Sequence, residues 1–253
     1  MNEKKNWELT HGKTGYSNRI FSLLNSNLVL KKFKSELLEI KTEEGNINIL
    51  IPGCGSNVNL QICCNNALGG RAIINALDWS KEAINISKTQ TDNLGINVNY
   101  YNQSYYELSL KPSSFDIILM SNAIVSESHE NNINAIKNLT RLLKPNGHLI
   151  GLLPSPFNML DYALSNSDAH HWLTDGTLNI EGRSVYERDF GKQRFFSPLE
   201  LHMLFKELKC QVEKFELFFY DDDDFAEQIS KLYDIEFNNN YCFWGYFIKT
   251  KKM

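Results

Sequence analysis

The apolar positions along the chain change their period repeatedly, and each change marks a new element. Arg19 to Ile40, "RIFSLLNSNLVLKKFKSELLEI", spaces its apolar residues at mixed three- and four-residue steps, which predicts one or two amphipathic helices. "INILI" is then a short, β-branched run, the pattern of a strand buried on both faces. "NLQICCNNALGG" reads as a helix stopped by a glycine pair, and "RAIINALD" as a second strand ending in Asp78. "SKEAINISKTQTDNLG" predicts a helix capped by Ser80 and closed by Gly95. "INVNYY" is a third strand and "SFDIILMSNAIV" holds a fourth. In "ENNINAIKNLTRLLKPNG", Ile133, Ile136, Leu139, Leu142 and Leu143 line one helical face before a Pro-Asn-Gly turn ends it. "HLIGLLP" is the fifth strand.

The clearest helix is "SPLELHMLFKEL". Ser197 is its N-cap, Pro198 occupies the first turn, and Glu200 completes a capping box. Leu201, Leu204, Phe205 and Leu208 form its apolar stripe. Two further strands, "CQVEKFELFFY" and "YCFWGYFIKT", flank an acidic and helical stretch. Within that stretch "YDDDDF", Tyr220 to Phe225, reads as a solvated loop, because adjacent carboxylates repel. Residues 157–196 separate the fifth strand from the capped helix, an interval far beyond ordinary loop lengths and one expected of a functional lid. Strands alternating with helices predict an α/β fold, a mostly parallel sheet with helices on both faces. The chain is read as a single domain over 1–253, with a helical cap at 1–45 and a lid at 157–196 inserted before the sixth strand.

Composition narrows the partners. Hydrophobic content of 42% with 22% charged residues is that of an ordinary globular chain. A net charge of −4 provides no general attraction to phosphate backbones, which disfavours nucleic acid. No apolar run approaches the roughly 20 residues that cross a bilayer, and the polar start "MNEKKNWELTHGKTG" lacks a signal-peptide core. The five cysteines, Cys54, Cys63, Cys64, Cys210 and Cys242, include no C-x-x-C pair, so neither a disulfide framework nor a zinc ribbon is expected. These features predict a cytoplasmic protein with no membrane partner and no bound metal.

Chemistry concentrates in "ILIPGCGSNVNL". Gly53 and Gly55 let the backbone bend sharply and let a ligand approach it, with Cys54 as a small neutral filler. Asp78, at the end of the next strand, offers a carboxylate that can accept both hydroxyls of a ribose. A dinucleotide site wants a third glycine, and the chain has Val58 there. S-adenosylmethionine has no pyrophosphate to seat, so the departure favours that methyl donor over NAD.

In order, "ILIPGCGSN", "ALDWSKEAI", "SFDIILMSNAIV" and "LTRLLKPNGHLIG" resemble the motifs of class I S-adenosylmethionine-dependent methyltransferases over about Asn46 to Pro154, and "FWGYFIKTK" is similar to the family's closing strand. The resemblance implies a Rossmann-like seven-stranded sheet and S-adenosylmethionine as cofactor. It also implies that Gly53, Cys54 and Gly55 line the methionine part, that Asp78 binds the ribose, and that Trp79 lies beside the adenine. Gln103 or Ser104 stands where the family often has an acid against the adenine amine. Ser121 and Asn122 would face the methionyl group, while Asp116, at the start of that strand, is structural. Ile51 replaces the family's usual acid in the first motif.

A sulfonium methyl is already activated, so the protein mainly aligns a nucleophile, and a hydroxyl acceptor benefits from a base near neutrality. His129 follows the fourth strand on the cofactor side; His170 and His171 fall within the lid, and the three are the expected catalytic bases. The other candidates are His11, His148 and His202, of which His148 and His202 are read as structural. Tyr162, Trp172 and Tyr186 would supply stacking faces in the lid, with Arg183 and Arg188 for an anionic group. The expected activity is methyl transfer to a small-molecule acceptor, at a hydroxyl of a sugar or specialised metabolite. The alternatives are a protein, peptide or N-methyltransferase, or a cofactor-binding protein without catalysis. The acceptor and the oligomeric state are left open by the sequence.

Overall fold

Ile47–Pro52 forms β1, buried at five of its six positions, as a run without polar alternation requires of a central strand. In this computed structural model residues 27–40, 45–165, 167–187, 191–220 and 242–253 are described. The expectations for Arg19 to Ser26, His11, Arg188, and the acidic stretch after Tyr220 lie outside the described residues.

The elements follow the predicted order. Asn27–Glu39 is α1, Asn59–Leu68 α2, Ala72–Asp78 β2, Lys81–Asn93 α3, Val98–Asn102 β3 and Phe115–Ser121 β4. His129–Leu142 is α4, Leu143–Pro154 β5 and Pro156–Ser165 α5. A 3₁₀ helix at Ser167–Leu173 precedes the short strands β6 (Leu178–Asn179), β7 (Ser184–Glu187) and β8 (Gly191–Arg194). Pro198–Glu207 is α6, Cys210–Tyr220 β9 and Cys242–Lys252 β10.

The main sheet has seven strands in the order β3-β2-β1-β4-β5-β10-β9, and β10 runs antiparallel to both neighbours. Alternate residues of each strand feed opposite cores. Ile49, Ile51, Ile117 and Leu119 pack with Phe33 and Leu37 of α1 and with Leu60 and Cys64 of α2. Leu50, Ile118 and Met120 pack on the other face with Ala135, Ile136 and Leu139 of α4 and with Leu201 and Phe205 of α6. Three helices begin with a serine cap whose hydroxyl accepts a backbone N–H: Ser80 from Ala83, Ser128 from Asn131, and Ser197 from Glu200. The capping box read from the sequence is complete at Ser197 and Glu200.

Two expectations change. The Pro-Asn-Gly turn is absorbed into β5, where pairing jumps from Phe115–Leu143 to Ile117–His148 and Asn146 takes a φ of 64°. The extra residues form a bulge rather than a connection, because β5 starts as soon as α4 ends. The second change is that residues 157–196, expected as a lid, contain regular elements that the sequence reading did not identify. They form α5, the 3₁₀ helix and a three-stranded antiparallel sheet around their own small core of Val125, Ala163, Leu178, Val185 and Phe195. Among the described residues no helix is long and apolar enough to cross a membrane.

Candidate active site

The turn after β1 lies at the carboxyl end of the sheet, beside the crossover where the strand order reverses, the position at which open α/β sheets bind ligands. Gly53 and Gly55 both adopt a φ of 60°, the left-handed region that a side chain disfavours. At Gly53 a Cβ would come within 2.7 Å of the Ala123 Cβ, so the glycine also lets the loop after β4 pass against the turn. Between them Cys54 is buried, and its N–H donates to the Leu77 carbonyl at 3.1 Å. Burial, reinforced by the Asp78 charge, pushes its thiol well above the usual range and keeps it a neutral filler. Ile51 points into the core at 1% exposure and contributes packing only.

Asp78 holds this turn in place. One carboxylate oxygen accepts the Gly55 N–H at 2.9 Å and the other accepts the Ser80 N–H at 2.8 Å. It therefore ties the glycine turn to the start of α3, with Ser80 as the cap of that helix. A carboxylate can accept about four hydrogen bonds, so holding the turn and holding a ribose are compatible tasks. Asn102 donates through Nδ2 to the Asp78 and Trp79 carbonyls, which fixes Trp79 at the rim. Trp79 meets Tyr106 edge-on at 5.8 Å. Gln103 turns its Oε1 to accept from Ser109, and Ser104 accepts the Tyr106 N–H through its hydroxyl. Both are thus engaged locally. Ser121 closes β4, and Asn122 follows at a φ of 53°. The Tyr105 hydroxyl donates to the Ala123 carbonyl and anchors that loop from below.

These residues form one rim, and their donor set fits a sulfonium nucleotide. Two left-handed glycines leave backbone open to an amino-acid tail, a carboxylate stands for the ribose, and an indole stands for the base. Val58, 5% exposed, is packed inward where a pyrophosphate site needs a third glycine.

The three histidines expected as bases are not brought together. His129 opens α4, directly after the Ser128 cap, and faces a groove of about 710 Å³ between α4 and α6. Its Nδ1 pairs with an Arg194 guanidinium nitrogen. Arginine only donates, so Nδ1 is the acceptor and the ring proton sits on Nε2, 3.6 Å from Glu200 Oε1. Burial, with the Arg194 charge second, lowers its pKa, while Glu200 pulls the other way. The Nδ1 lone pair of His129 is thus turned to Arg194. His170 and His171 lie on the 3₁₀ helix and are both exposed, with His171 3.7 Å from Asp175. His148 pairs with Glu213 and His202 packs on Phe215, as structural histidines do. Asp116 accepts the Asn48 N–H and pairs with Lys144, again a structural role. Arg183, expected to hold an anionic group, donates to Glu200 at 2.8 Å instead.

Sequence reading missed Trp244, whose indole Nε1–H donates to Asn122 Oδ1 at 2.9 Å. It also missed the bond between the Ser155 and Tyr246 hydroxyls at 3.0 Å and that from Asn158 Nδ2 to the Phe243 carbonyl. Only the aromatic density of "CFWGYF" hinted that β10 approaches the rim.

Residues 49–147 match a family model described as a methyltransferase domain. No curated protein matches the chain significantly. Among solved structures, the chain is similar to a SAM-dependent methyltransferase from Methanosarcina mazei at 20% identity, covering 83% of this chain and 94% of that one, with a TM-score of 0.61. It is similar to a SAM dependent methyltransferase from Aquifex aeolicus at 13% identity, covering 100% of both chains, with a TM-score of 0.56. It is also similar to magnesium protoporphyrin IX methyltransferase from Synechocystis PCC 6803, a structure with bound SAM, at 8% identity over 100% of this chain and 98% of that one, with a TM-score of 0.59. At such identities the structural likeness shows the fold.

Proposed function

We propose, for an enzyme whose residues 49–147 are a methyltransferase domain of the class I S-adenosylmethionine-dependent family, that the methyl acceptor is a small molecule and the acceptor atom a hydroxyl oxygen. The observation that carries this reading is the convergence on one rim of the Gly53–Gly55 turn, Asp78 and the loop at Asn122 and Ala123. When bound, S-adenosylmethionine supplies a methyl group already activated on a sulfonium. The chain then has to bind, orient and exclude water.

Gly53 and Gly55 would present backbone to the methionyl tail, with Ser121 and Asn122 on its other side. Asp78 would accept the ribose hydroxyls while it keeps its grip on the turn. Trp79 would cover the adenine, near Gln103 and Ser104. The folded insert that begins with α5 follows directly on β5, so it stands at the carboxyl end of the sheet, where an acceptor would enter. Its own core makes it a wall of fixed shape, which suits a compact acceptor better than an extended chain. The net charge of −4 agrees, since it gives no general attraction to nucleic acid.

Calorimetry with S-adenosylmethionine, S-adenosylhomocysteine and NAD tests the cofactor part. Binding of the two sulfur nucleotides and no response to NAD is expected. Screening small hydroxylated compounds for S-adenosylhomocysteine release, with mass spectrometry of the products, tests the acceptor. Methylation confined to peptides would overturn the small-molecule reading.

A further inference from the structure

Asn122 carries a constraint that binding the cofactor does not require. It is a non-glycine residue at a φ of 53°, a conformation that asparagine tolerates better than most. Its N–H donates to the Leu152 carbonyl at 2.9 Å and fixes the backbone. Its Oδ1 accepts from Trp244 Nε1 at 2.9 Å, across 122 residues of sequence. Trp244 reaches it by means of a bulge. Phe243 pairs with Phe219 and Gly245 with Phe218, so Trp244 is the extra residue on β10. Bulges re-aim side chains in this way, often beside active sites. Only glycine can follow at 245, because a Cβ there would lie 2.0 Å from the Leu153 carbonyl oxygen. The Ser155 N–H then donates to the Trp244 carbonyl at 3.2 Å and pins the bulge to the end of β5.

The consequence is chemical. An indole nitrogen can donate and cannot accept. The amide of Asn122 must therefore turn its oxygen to Trp244 and its NH₂ group the other way. Among the described residues no bond uses that NH₂, and Asn122 is only half-buried. Its neighbour Ala123 is the residue that packs on Gly53, so Asn122 is one residue away from the contact with the cofactor turn.

We infer that Asn122, locked by Trp244, selects the acceptor atom: it takes an oxygen nucleophile and rejects an amine. This rests on the methyl-transfer reading above. An oxygen nucleophile has lone pairs to spare. One forms the new O–C bond as the S–CH₃ bond breaks and its electron pair passes to sulfur; another stays on the Asn122 N–H. An acceptor that arrives as a phenolate or carboxylate leaves no proton to place, and the sulfonium and oxyanion charges cancel. A neutral amine has one lone pair, which cannot both attack and accept. Its N–H groups need acceptors, and the Asn122 amide has turned its oxygen towards Trp244, leaving its NH₂ on the opposite side. Acidic phenols and carboxylates are therefore the favoured acceptors, and they need no histidine base.

The test uses ¹⁵N-labelled full-length protein saturated with S-adenosylhomocysteine. Trp244→Phe and Asn122→Ala assign the indole and side-chain amide resonances. The Trp244 indole proton should exchange slowly, and its resonance should move when Asn122 is replaced. Benzoate and phenol should shift the Asn122 amide pair, whereas benzylamine should not. In turnover with oxygen acceptors, Trp244→Phe should raise the acceptor KM about three- to tenfold, the worth of one hydrogen bond. Rapid exchange of the indole proton overturns the inference, as does an amide pair that answers equally to benzylamine or to none of the probes. Each of these leaves the methyl-transfer reading standing. Failure to bind S-adenosylhomocysteine at all overturns both.

Discussion

Glu36 and Glu200 are both carboxylates surrounded by cations, on opposite faces of the sheet, yet they do different work. Glu36 of α1 is 1% exposed and takes Lys214 at 2.8 Å, Lys249 at 3.1 Å and Lys32 at 3.3 Å. Burial raises its carboxyl, and hydrogen bonds from Lys214 and Lys249 more than reverse that, leaving the pKa lowered. Glu200 of α6 is 22% exposed and takes Arg183 at 2.8 Å and Arg194 at 3.1 Å through one oxygen, while the other caps its own helix. The first cluster welds α1 to β9 and β10, where removing the acid would leave Lys249, 6% exposed, with only Glu39 at 3.7 Å. The second joins the inserted sheet to α4 and α6 where water can still solvate the ions. Depth, more than the number of cations, separates a lock from a joint.

The sharpest way to break that comparison is to delete each acid. Glu36→Ala should cost about 3 kcal/mol, the low end of the range for removing one partner of a buried ion pair because Glu39 stays near Lys249 and Lys214, measured by urea denaturation. A loss below about 1 kcal/mol, the scale of exposed pairs, would put both clusters in the same class.

Asp78 sharpens the contrast, being a carboxylate held by backbone N–H groups of Gly55 and Ser80. Asp78→Ala should weaken S-adenosylhomocysteine binding by about 1.5–3 kcal/mol, the scale of charge-assisted hydrogen bonds. Affinity unchanged in calorimetry, with the fold intact by circular dichroism, would reduce Asp78 to a clamp on the turn.

Glu200→Ala should cost about 1–2 kcal/mol, mostly the lost cap. Glu200→Gln, which can still accept the Ser197 N–H, should recover more than half of that if the arginines contribute little. A Gln variant as unstable as the Ala variant would show that the ion cluster carries the energy.

How much of this was legible beforehand follows the range of the interactions. Periodicity and caps are local, so the strand order of elements, Ser80, Ser197 and Glu200 could be read directly. The glycine turn and Asp78 lie one strand apart and carry a motif. The Trp244–Asn122 bond spans 122 residues and depends on a bulge that no local pattern announces. The engagement of His129 was hidden for the same reason. Its proximity to β4 in sequence was visible, but its partner Arg194 arrives from β8. The small sheet inside the insert was hidden because its strands are two and four residues long, too short to register as period-two patterns.

Acid offers the gentlest separation of the two clusters. His129 has a folded pKa below its usual 6.5, through burial first and the Arg194 charge second. A lowered folded value means that the folded state binds fewer protons, so His129 contributes stability above pH 6.5 that is lost as pH falls through the folded value. Glu36 is also lowered, from 4.5, so its contribution persists above pH 4.5 and is lost only below it. Glu200, lowered from the same 4.5 against the pull of burial by the Ser197 N–H and the arginines, keeps its charge as long. Acidification from neutrality should therefore reach the joint first, when His129 gains a proton, gives up its bond with Arg194 and faces two guanidinium groups with only Glu200 to offset them. Amide resonances around Arg183, Arg194 and His129 should begin to move below pH 6.5, while those of α1 hold until below 4.5. His129→Gln should abolish the early phase and leave the late one. If α1 moves first, the lysine-bound carboxylate is the weaker of the two, and depth does not decide which cluster yields.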